Sequence, residues 1–326
     1  MNDNPLVSVI VLNYNGASLL EECLASLNKI SYSPVEIIVV DNNSSDNSLE
    51  LLASHHNVTV IANSENYGYA EGNNIGISHC AGKYAATLNN DMTVEPSWLD
   101  EPVQILESNP QIGVISCRQM SYYNRETIDG LYHTIRTDLT FLPFGRNHLL
   151  QEKRQFLEAG YVISANGGSA LLRKSMFSQL NGFDTRFFAY LDETDLCMKA
   201  FVHNWSCYYV PEAVVYHKGS VSFRKTGVMQ YYFRERNRIW FLFKYFPLRL
   251  ITVHLPFILL HELRVIRIMC LKLKSPGLYI KARLDALKYL SAYREERKEN
   301  LQRMKERWVE FLALKKRKII PRKSED

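Results

Sequence analysis

Asn89-Asn90-Asp91 is the stretch of this sequence around which the side chains set out for chemistry are organised. An apolar run over 84–88 ends abruptly in two amides and a carboxylate, which is how a buried strand delivers oxygen ligands to a sheet edge. A divalent cation and a phosphorylated ligand can meet there. The alternative is a polar turn capping the strand, since Asn and Asp are turn formers. Far downstream, Asp192-Glu193-Thr194-Asp195 gathers three carboxylates. Such a pair of adjacent acids can supply a general base for a hydroxyl nucleophile; a solvated acidic helix start, favourable to the helix dipole, is the other reading. His217 follows a strand-like run over 213–216, and Arg234, Arg236 and Arg238 offer forked donors to phosphate oxygens or form a basic helix face.

The elements that must position these residues alternate. The pattern predicts strands over 7–12, 35–40, 58–62 and 84–88, with helices over 17–28, from about 46, and over 71–80. Nearly continuous apolar strands between helices imply an α/β chain with a doubly wound, mainly parallel sheet. Ligands of such sheets bind beyond the carboxyl ends of the strands. The loops at those ends are Asn13-Tyr14-Asn15-Gly16, Asp41-Asn42-Asn43-Ser44-Ser45-Asp46, Asn63-Ser64-Glu65-Asn66-Tyr67-Gly68 running on to Gly72-Asn73-Asn74, and Asn89-Asn90-Asp91. Four amide-rich loops on one edge make a floor for a base, a ribose and a diphosphate. Neither GxGxxG after the first strand nor GxxxxGK[ST] is present, which removes the main support for dinucleotide dehydrogenases and P-loop proteins. A nucleotidyltransferase would need a basic, glycine-rich phosphate loop after the first strand, and 13–16 has no basic residue.

From 7 to about 237 the chain resembles family 2 glycosyltransferases of the GT-A fold, in the bacterial branch that includes rhamnosyltransferases. The resemblance is carried by Val9-Ile10-Val11-Leu12-Asn13-Tyr14-Asn15-Gly16, Val39-Val40-Asp41-Asn42-Asn43-Ser44-Ser45-Asp46, Asn66-Tyr67-Gly68-Tyr69-Ala70-Glu71-Gly72-Asn73-Asn74 and Leu88-Asn89-Asn90-Asp91. It implies an inverting, metal-dependent transfer from a nucleotide-diphosphate sugar, such as dTDP-rhamnose or a UDP-sugar, to a hydroxyl of a lipid-linked or growing cell-surface polysaccharide. In its terms Asn13, Asn15, Asp41, Asn43, Asn66, Gly68, Asn73, Asn90, Gly168 and Arg236 bind the nucleotide sugar. Asp91, with Asn89 and His217, takes the place of the metal-binding DxD motif and holds Mg2+ or Mn2+. Gly182-Phe183-Asp184 through Leu196 resembles the family's G-F-D-x-x-F-F-x-Y-x-E-D-x-D-L segment, with the E-D in swapped order as Asp192-Glu193. By spacing Glu193 matches the base and Asp192 is its fallback; Asp195 is assigned to orienting or capping. A catalytically silent nucleotide-sugar-binding or scaffold protein is the alternative, and would tolerate loss of both acids.

Past 95 the alternation fades. A helix is expected over 96–107 and a strand over 112–117, after which 118–161 has no clear period and reads as an acceptor-side loop region. The expected organisation is a GT-A domain over 1–225, with its nucleotide-sugar part to about 117 and its acceptor part over 118–225, and a helical region over 226–326. In that tail the longest run without Asp, Glu, Lys or Arg is the twelve residues 250–261, short of the ~20 that span a bilayer. Apolar faces flanked by Lys and Arg suit a helix lying in a membrane surface; a bundle packed on the enzyme is the competing reading. The basic cluster Lys315-Lys316-Arg317-Lys318 suits anionic lipid or a solvated tail. Net charge is only +5, from 39 Lys and Arg against 34 Asp and Glu, which gives no indication of a nucleic-acid partner. Six scattered cysteines without CxxC spacing fit a reducing setting rather than a disulfide framework. With no signal-like pattern at Met1-Asn2-Asp3-Asn4-Pro5, the expectation is a cytoplasmic protein, peripheral at the inner face of the membrane.

Overall fold

A computed structural model describes residues 4–219 and 227–315. The alternation in the first third becomes β1 (Val7–Asn13), α1 (Ala17–Leu27), β2 (Val35–Asp41), α2 (Ser48–Ala53), β3 (Val58–Ala62), α3 (Gly68–Ser78) and β4 (Tyr84–Asn89). β1 pairs in parallel with β2 and β4, and β2 with β3. Register decides what this edge presents. Asn13 lies opposite Asp41, Asp41 opposite Ala62, and Leu12 opposite Asn89, so all four loops leave the sheet at one level. β1, β2 and β4 are buried on both faces: Val9, Val11, Val39 and Ala86 belong to one apolar cluster, Ile10, Ile38, Val40 and Ala85 to another. That two-sided burial is why these three strands lack alternation, while β3 lies half-exposed at the sheet edge.

After β5 (Met92–Val94) and α4 (Asp100–Ser108), the chain widens the same sheet with β6 (Ile112–Ser121). The segment expected to be irregular is instead built of short pieces: β7 (Ile128–Gly130), β8 (Tyr132–Ile135), β9 (Phe141–Pro143) and β10 (Gly160–Val162). β8 and β9 form a small sheet with β11 (Ser164–Ala165). Strands of two to four residues are too short to establish a period. β12 (Ser169–Arg173) then enters between β4 and β6, antiparallel to both, and α5 (Lys174–Gln179) follows. β13 (Ser206–His217) runs parallel to β6 and pairs with β5 so that His217 faces Met92. Between β12 and β13 lies α6 (Asp192–Val202).

The C-terminal third is helical: α7 (Gly227–Tyr245), α8 (Leu248–Val253), α9 (Leu255–Ile266), a π-helical turn (Arg267–Lys272), α10 (Pro276–Tyr289) and α11 (Arg294–Lys315). α7 packs against α10 and α11, and α11 against α6. Met198, Phe201 and Val202 of α6 share a core with Phe241 and Tyr245 of α7 and Met304 and Phe311 of α11. Polar links reinforce it. Lys244, fully buried in α7, lies 2.8 Å from an Asp195 carboxylate oxygen, 2.9 Å from Glu296 and 3.3 Å from Asp184. Among the described residues no helix is long and apolar enough to cross a membrane. The basic cluster of the tail from Lys316 onward lies outside the described residues, as do Ser220, Val221 and Ser222 after His217.

Candidate active site

The polar network at the strand ends starts from Asn13, which has no exposed surface. Its amide nitrogen donates to Asp41 Oδ1 at 2.7 Å, while its oxygen accepts from Asn90 Nδ2 at 2.6 Å. Asp41 also accepts from the Ser44 amide at 2.8 Å and the Ser44 hydroxyl at 2.6 Å. Asn15 closes the next layer: its backbone N–H donates to Ser44 Oγ, and its side-chain oxygen accepts from the Ser45 amide. Asn15 and Asn43 have φ of 49° and 61°, a left-handed turn geometry that asparagine tolerates; Asn43 stands exposed at the loop tip. One network thus joins Asn13, Asn15, Asp41 and Asn90.

Asn66, Gly68 and Asn73 shape the third loop. Asn66 Oδ1 accepts from the Gly68 N–H at 2.9 Å, and Asn73 Nδ2 donates to the Tyr69 carbonyl within α3. Gly68 has φ +77°, and a Cβ there would stand 2.5 Å from the Phe188 carbonyl oxygen. That carbonyl accepts from the Tyr69 amide at 2.6 Å, so the start of α3 is held by the loop that precedes α6.

Asp91 and His217 meet because β5 pairs with the end of β13. The Lys218 amide donates to the Asp91 carbonyl at 3.0 Å, and His217 Nε2 is 3.3 Å from Asp91 Oδ2. On the far side of the ring, His217 Nδ1 is 2.7 Å from Asp129 Oδ2. Asp129 reaches it through a bulge: Gln119 pairs with Gly130 and Met120 with Ile128, leaving Asp129 as the extra residue. Bulges re-aim side chains in this way. Burial alone would lower the His217 pKa, but hydrogen bonds to Asp129 and Asp91, with their charges, push it up to about 9.

The adjacent carboxyls Asp192 and Glu193 begin α6. Three residues with side chains precede it at positive φ: Phe188, Tyr190 and Leu191, at 65°, 69° and 65°. Such strain persists only where surroundings over-determine the backbone. Here Asn237 of α7 donates its amide to the carbonyls of Phe187, Ala189 and Tyr190 at 2.8–3.0 Å. Glu193 packs on Gly167, where a Cβ would stand 2.5 Å from its Oε1. Gly168, at φ +93°, lies against Asn89 and Met92. The Gly167-Gly168 dipeptide therefore has Glu193 on one flank and the Asn89-Asn90-Asp91 turn on the other. Close approach from both sides is what requires glycine. Asp192 is buried, and burial first, then the charge of Glu193 and the hydrogen bond shared with it, hold its carboxyl well above the usual range. The pair thus favours the protonated form of Asp192.

One residue expected at the donor, Arg236, is engaged elsewhere in space, and Asp195 points away from the pair as an orienting role allows. Arg236 donates to the carbonyls of Arg186 and Phe187 at 3.0 and 2.8 Å and lies over the Trp240 ring, so its charge serves the loop before α6. Asp195 turns away from the pair to Lys244. Two residues without a motif join the site: Asp129, and His133 of β8, whose Nδ1 is 3.9 Å from Glu193 Oε1 and 3.3 Å from Thr194 Oγ1. Burial keeps the His133 ring neutral by lowering its pKa, with Arg146 and Arg234 acting in the same direction and Glu193 opposing. Both lie on strands too short to give a sequence signal.

The Asp192 shift has a testable sign. A carboxyl raised in the folded state gives stability that is present below its unfolded pKa of ~3.9 and lost as pH rises towards the folded value. Asp192→Asn removes that loss. Its melting temperature is expected to equal or exceed wild type, with the gap growing as pH is raised from about 4 to about 8. Parallel pH profiles for the two proteins would contradict a protonated Asp192.

A doubly wound sheet of this kind, with a helical C-terminal part, is the GT-A fold. The mannosyltransferase PcManGT from Pyrobaculum calidifontis, solved in complex with GDP-Man and Mn2+, superposes with a TM-score of 0.55 at 17% identity, over 94% of this chain and 76% of that one. Residues 8–180 match the sequence profile of Glycosyl transferase family 2. The chain belongs to that family. An uncharacterized glycosyltransferase of Haemophilus influenzae is 35% identical over 116 residues, 34% of this chain and 36% of the relative. The N-acetylglucosaminyl-diphospho-decaprenol L-rhamnosyltransferase of Mycobacterium tuberculosis is 24% identical over 237 residues, 65% of this chain and 76% of the relative. The chain spans 36%, 45% and 59% of the length of the first three curated relatives it matches.

Proposed function

We propose that this protein is an inverting glycosyltransferase moving a sugar from a nucleotide-diphosphate sugar, such as dTDP-rhamnose or a UDP-sugar, to a hydroxyl of a lipid-linked or growing cell-surface polysaccharide. The observation that carries the reading is the glycine pair holding a carboxylate on one side and the donor-side turn on the other. Asn13, Asn15, Asp41 and Asn90 line the nucleotide end. Glu193, beside Asp192 whose burial favours its protonated form, takes the proton of the acceptor hydroxyl as the new glycosidic bond forms and the bond to the diphosphate breaks. His133 stands where it can orient that hydroxyl.

The donor set fits a divalent cation. Asp91 Oδ1 is buried without a hydrogen-bond partner among the described residues, and Asp91 Oδ2 and His217 Nε2 face each other across 3.3 Å. Asp129 on the other ring nitrogen is the outer carboxylate that metal-bound histidines commonly have. Among the described residues no group of three or more His, Cys, Asp and Glu side chains is arranged to hold an ion unaided. Mg2+ or Mn2+ would therefore rest on Asp91 and His217, with Asn89 alongside, and share the donor's phosphate oxygens. When bound, it supplies positive charge to the leaving diphosphate.

The test is a panel of nucleotide sugars with and without Mn2+ or Mg2+. Asp91→Ala is expected to lose roughly 10^2-fold or more of metal-stimulated turnover, the scale of losing a group that stabilises developing charge. Full turnover in folded Asp91→Ala would remove Asp91 from the metal site.

A further inference from the structure

The helices after α7 leave an apolar side uncovered. α8 has no buried residue and α9 only Val265. On α9, Leu255, Leu259 and Leu263 recur at the helical spacing that normally marks a core face, and on α10 Ile280, Leu284 and Leu287 do the same. All six are between 43% and 64% exposed. Leu271, in the turn joining the two helices, is 73% exposed. Single exposed leucines are ordinary, but runs at helical spacing mark an interaction surface.

The charges identify the partner. Between 247 and 289 eight lysines and arginines stand against only Glu262 and Asp285. Both acids are already paired, Glu262 with Arg283 at 2.6 Å and Asp285 with Lys281 at 2.8 Å. Arg249, Arg264, Arg267, Lys272 and Lys274 have no acidic partner among the described residues. A second copy of the chain on this face would bring two such unpaired sets together, and like charges oppose that contact. An anionic bilayer satisfies both features, with leucines entering the headgroup–acyl boundary and cations meeting phosphates. We propose that α8, α9 and α10 form a docking face that lies in the surface of an anionic lipid bilayer without crossing it.

The face is coupled to the site. Trp240 of α7 donates to the Ala286 carbonyl of α10 at 2.9 Å, and three residues away Asn237 holds the loop before Asp192-Glu193. The surface itself follows from exposure and charge; only its purpose, presenting an acceptor at the lipid surface, rests on the transferase reading.

Sedimentation of the full chain with vesicles tests it. Wild type is expected to bind vesicles of phosphatidylcholine with phosphatidylglycerol at low salt, to bind less at high salt, and to leave pure phosphatidylcholine largely unbound. Leu259→Glu with Leu263→Glu should weaken binding roughly tenfold or more. Arg264→Glu with Arg267→Glu should lose at least roughly fivefold per residue and flatten the salt dependence. Circular dichroism and hydrolysis of soluble donor are expected to match wild type in both variants, and the charge variant carries the test if the leucine variant unfolds. Failure of wild type to bind anionic vesicles, or wild-type binding by the folded variants, overturns the proposal. So does a dimer in light scattering that the leucine variant disperses while vesicle binding is unchanged. Glu193→Gln should bind vesicles like wild type, which separates failure of this surface from failure of the catalytic reading.

Discussion

Glu193→Gln is expected to lower turnover by ~10^3-fold while leaving donor affinity within a few-fold of wild type. The substitution keeps the shape that packs on Gly167 and removes only the capacity to take a proton. A base acts in the transition state, so the loss should appear in kcat with little change in donor KM. Steady-state transfer assays and calorimetric titration of donor separate the two. The partner variant fixes the assignment. With the proton of the pair on Asp192, Asp192→Asn leaves a hydrogen-bonding group in place and should cost far less activity. An inactive Asp192→Asn beside an active Glu193→Gln would reverse the roles.

Lys244→Met is expected to cost ~3–5 kcal/mol of stability, the range for removing one partner of a buried ion pair. Methionine fills much of the space but leaves Asp184, Asp195 and Glu296 without their shared cation. Arg186 compensates only in part, being 2.7 Å from Asp184 and 3.7 Å from Glu296. Native stabilities are ~5–15 kcal/mol, so the change threatens the fold itself. Denaturant unfolding measures it directly. Adding Asp195→Asn should recover part of the loss, because one stranded charge disappears. A wild-type midpoint in Lys244→Met would mean that the cluster contributes nothing net.

The first third of the chain was legible because β1, β2 and β4 are buried on both faces and polar residues crowd at the strand ends. The runs over 7–12, 35–40, 58–62 and 84–88 became strands within one residue of those limits, and register alone then placed Asn13, Asp41 and Asn89 together. The region after β6 was less legible. Asp129 is useful only through a bulge, and His133 through a four-residue strand paired with β11, arrangements that leave no period in the sequence. Arg236 shows the opposite difficulty. A guanidinium suited to phosphate is equally suited to backbone carbonyls, and only the fold places Arg186 and Phe187 within its reach. In the tail, α7 and α11 pack against α6 of the α/β part, while α8 and α9 leave apolar residues uncovered.

Asn237 and Lys244, which hold the loop and helix of the carboxylate pair, both lie in α7, and the pair itself lies beyond residue 180. The segment shared across the family is thus shorter than the working unit. Grafting the first 180 residues onto a relative would carry the polar strand-end loops and leave Asp192, Glu193 and their scaffold behind. On the proposed reading, a chimera meant to exchange donor preference alone has its natural joint before the glycine pair, whereas one meant to exchange acceptors must carry α7 along.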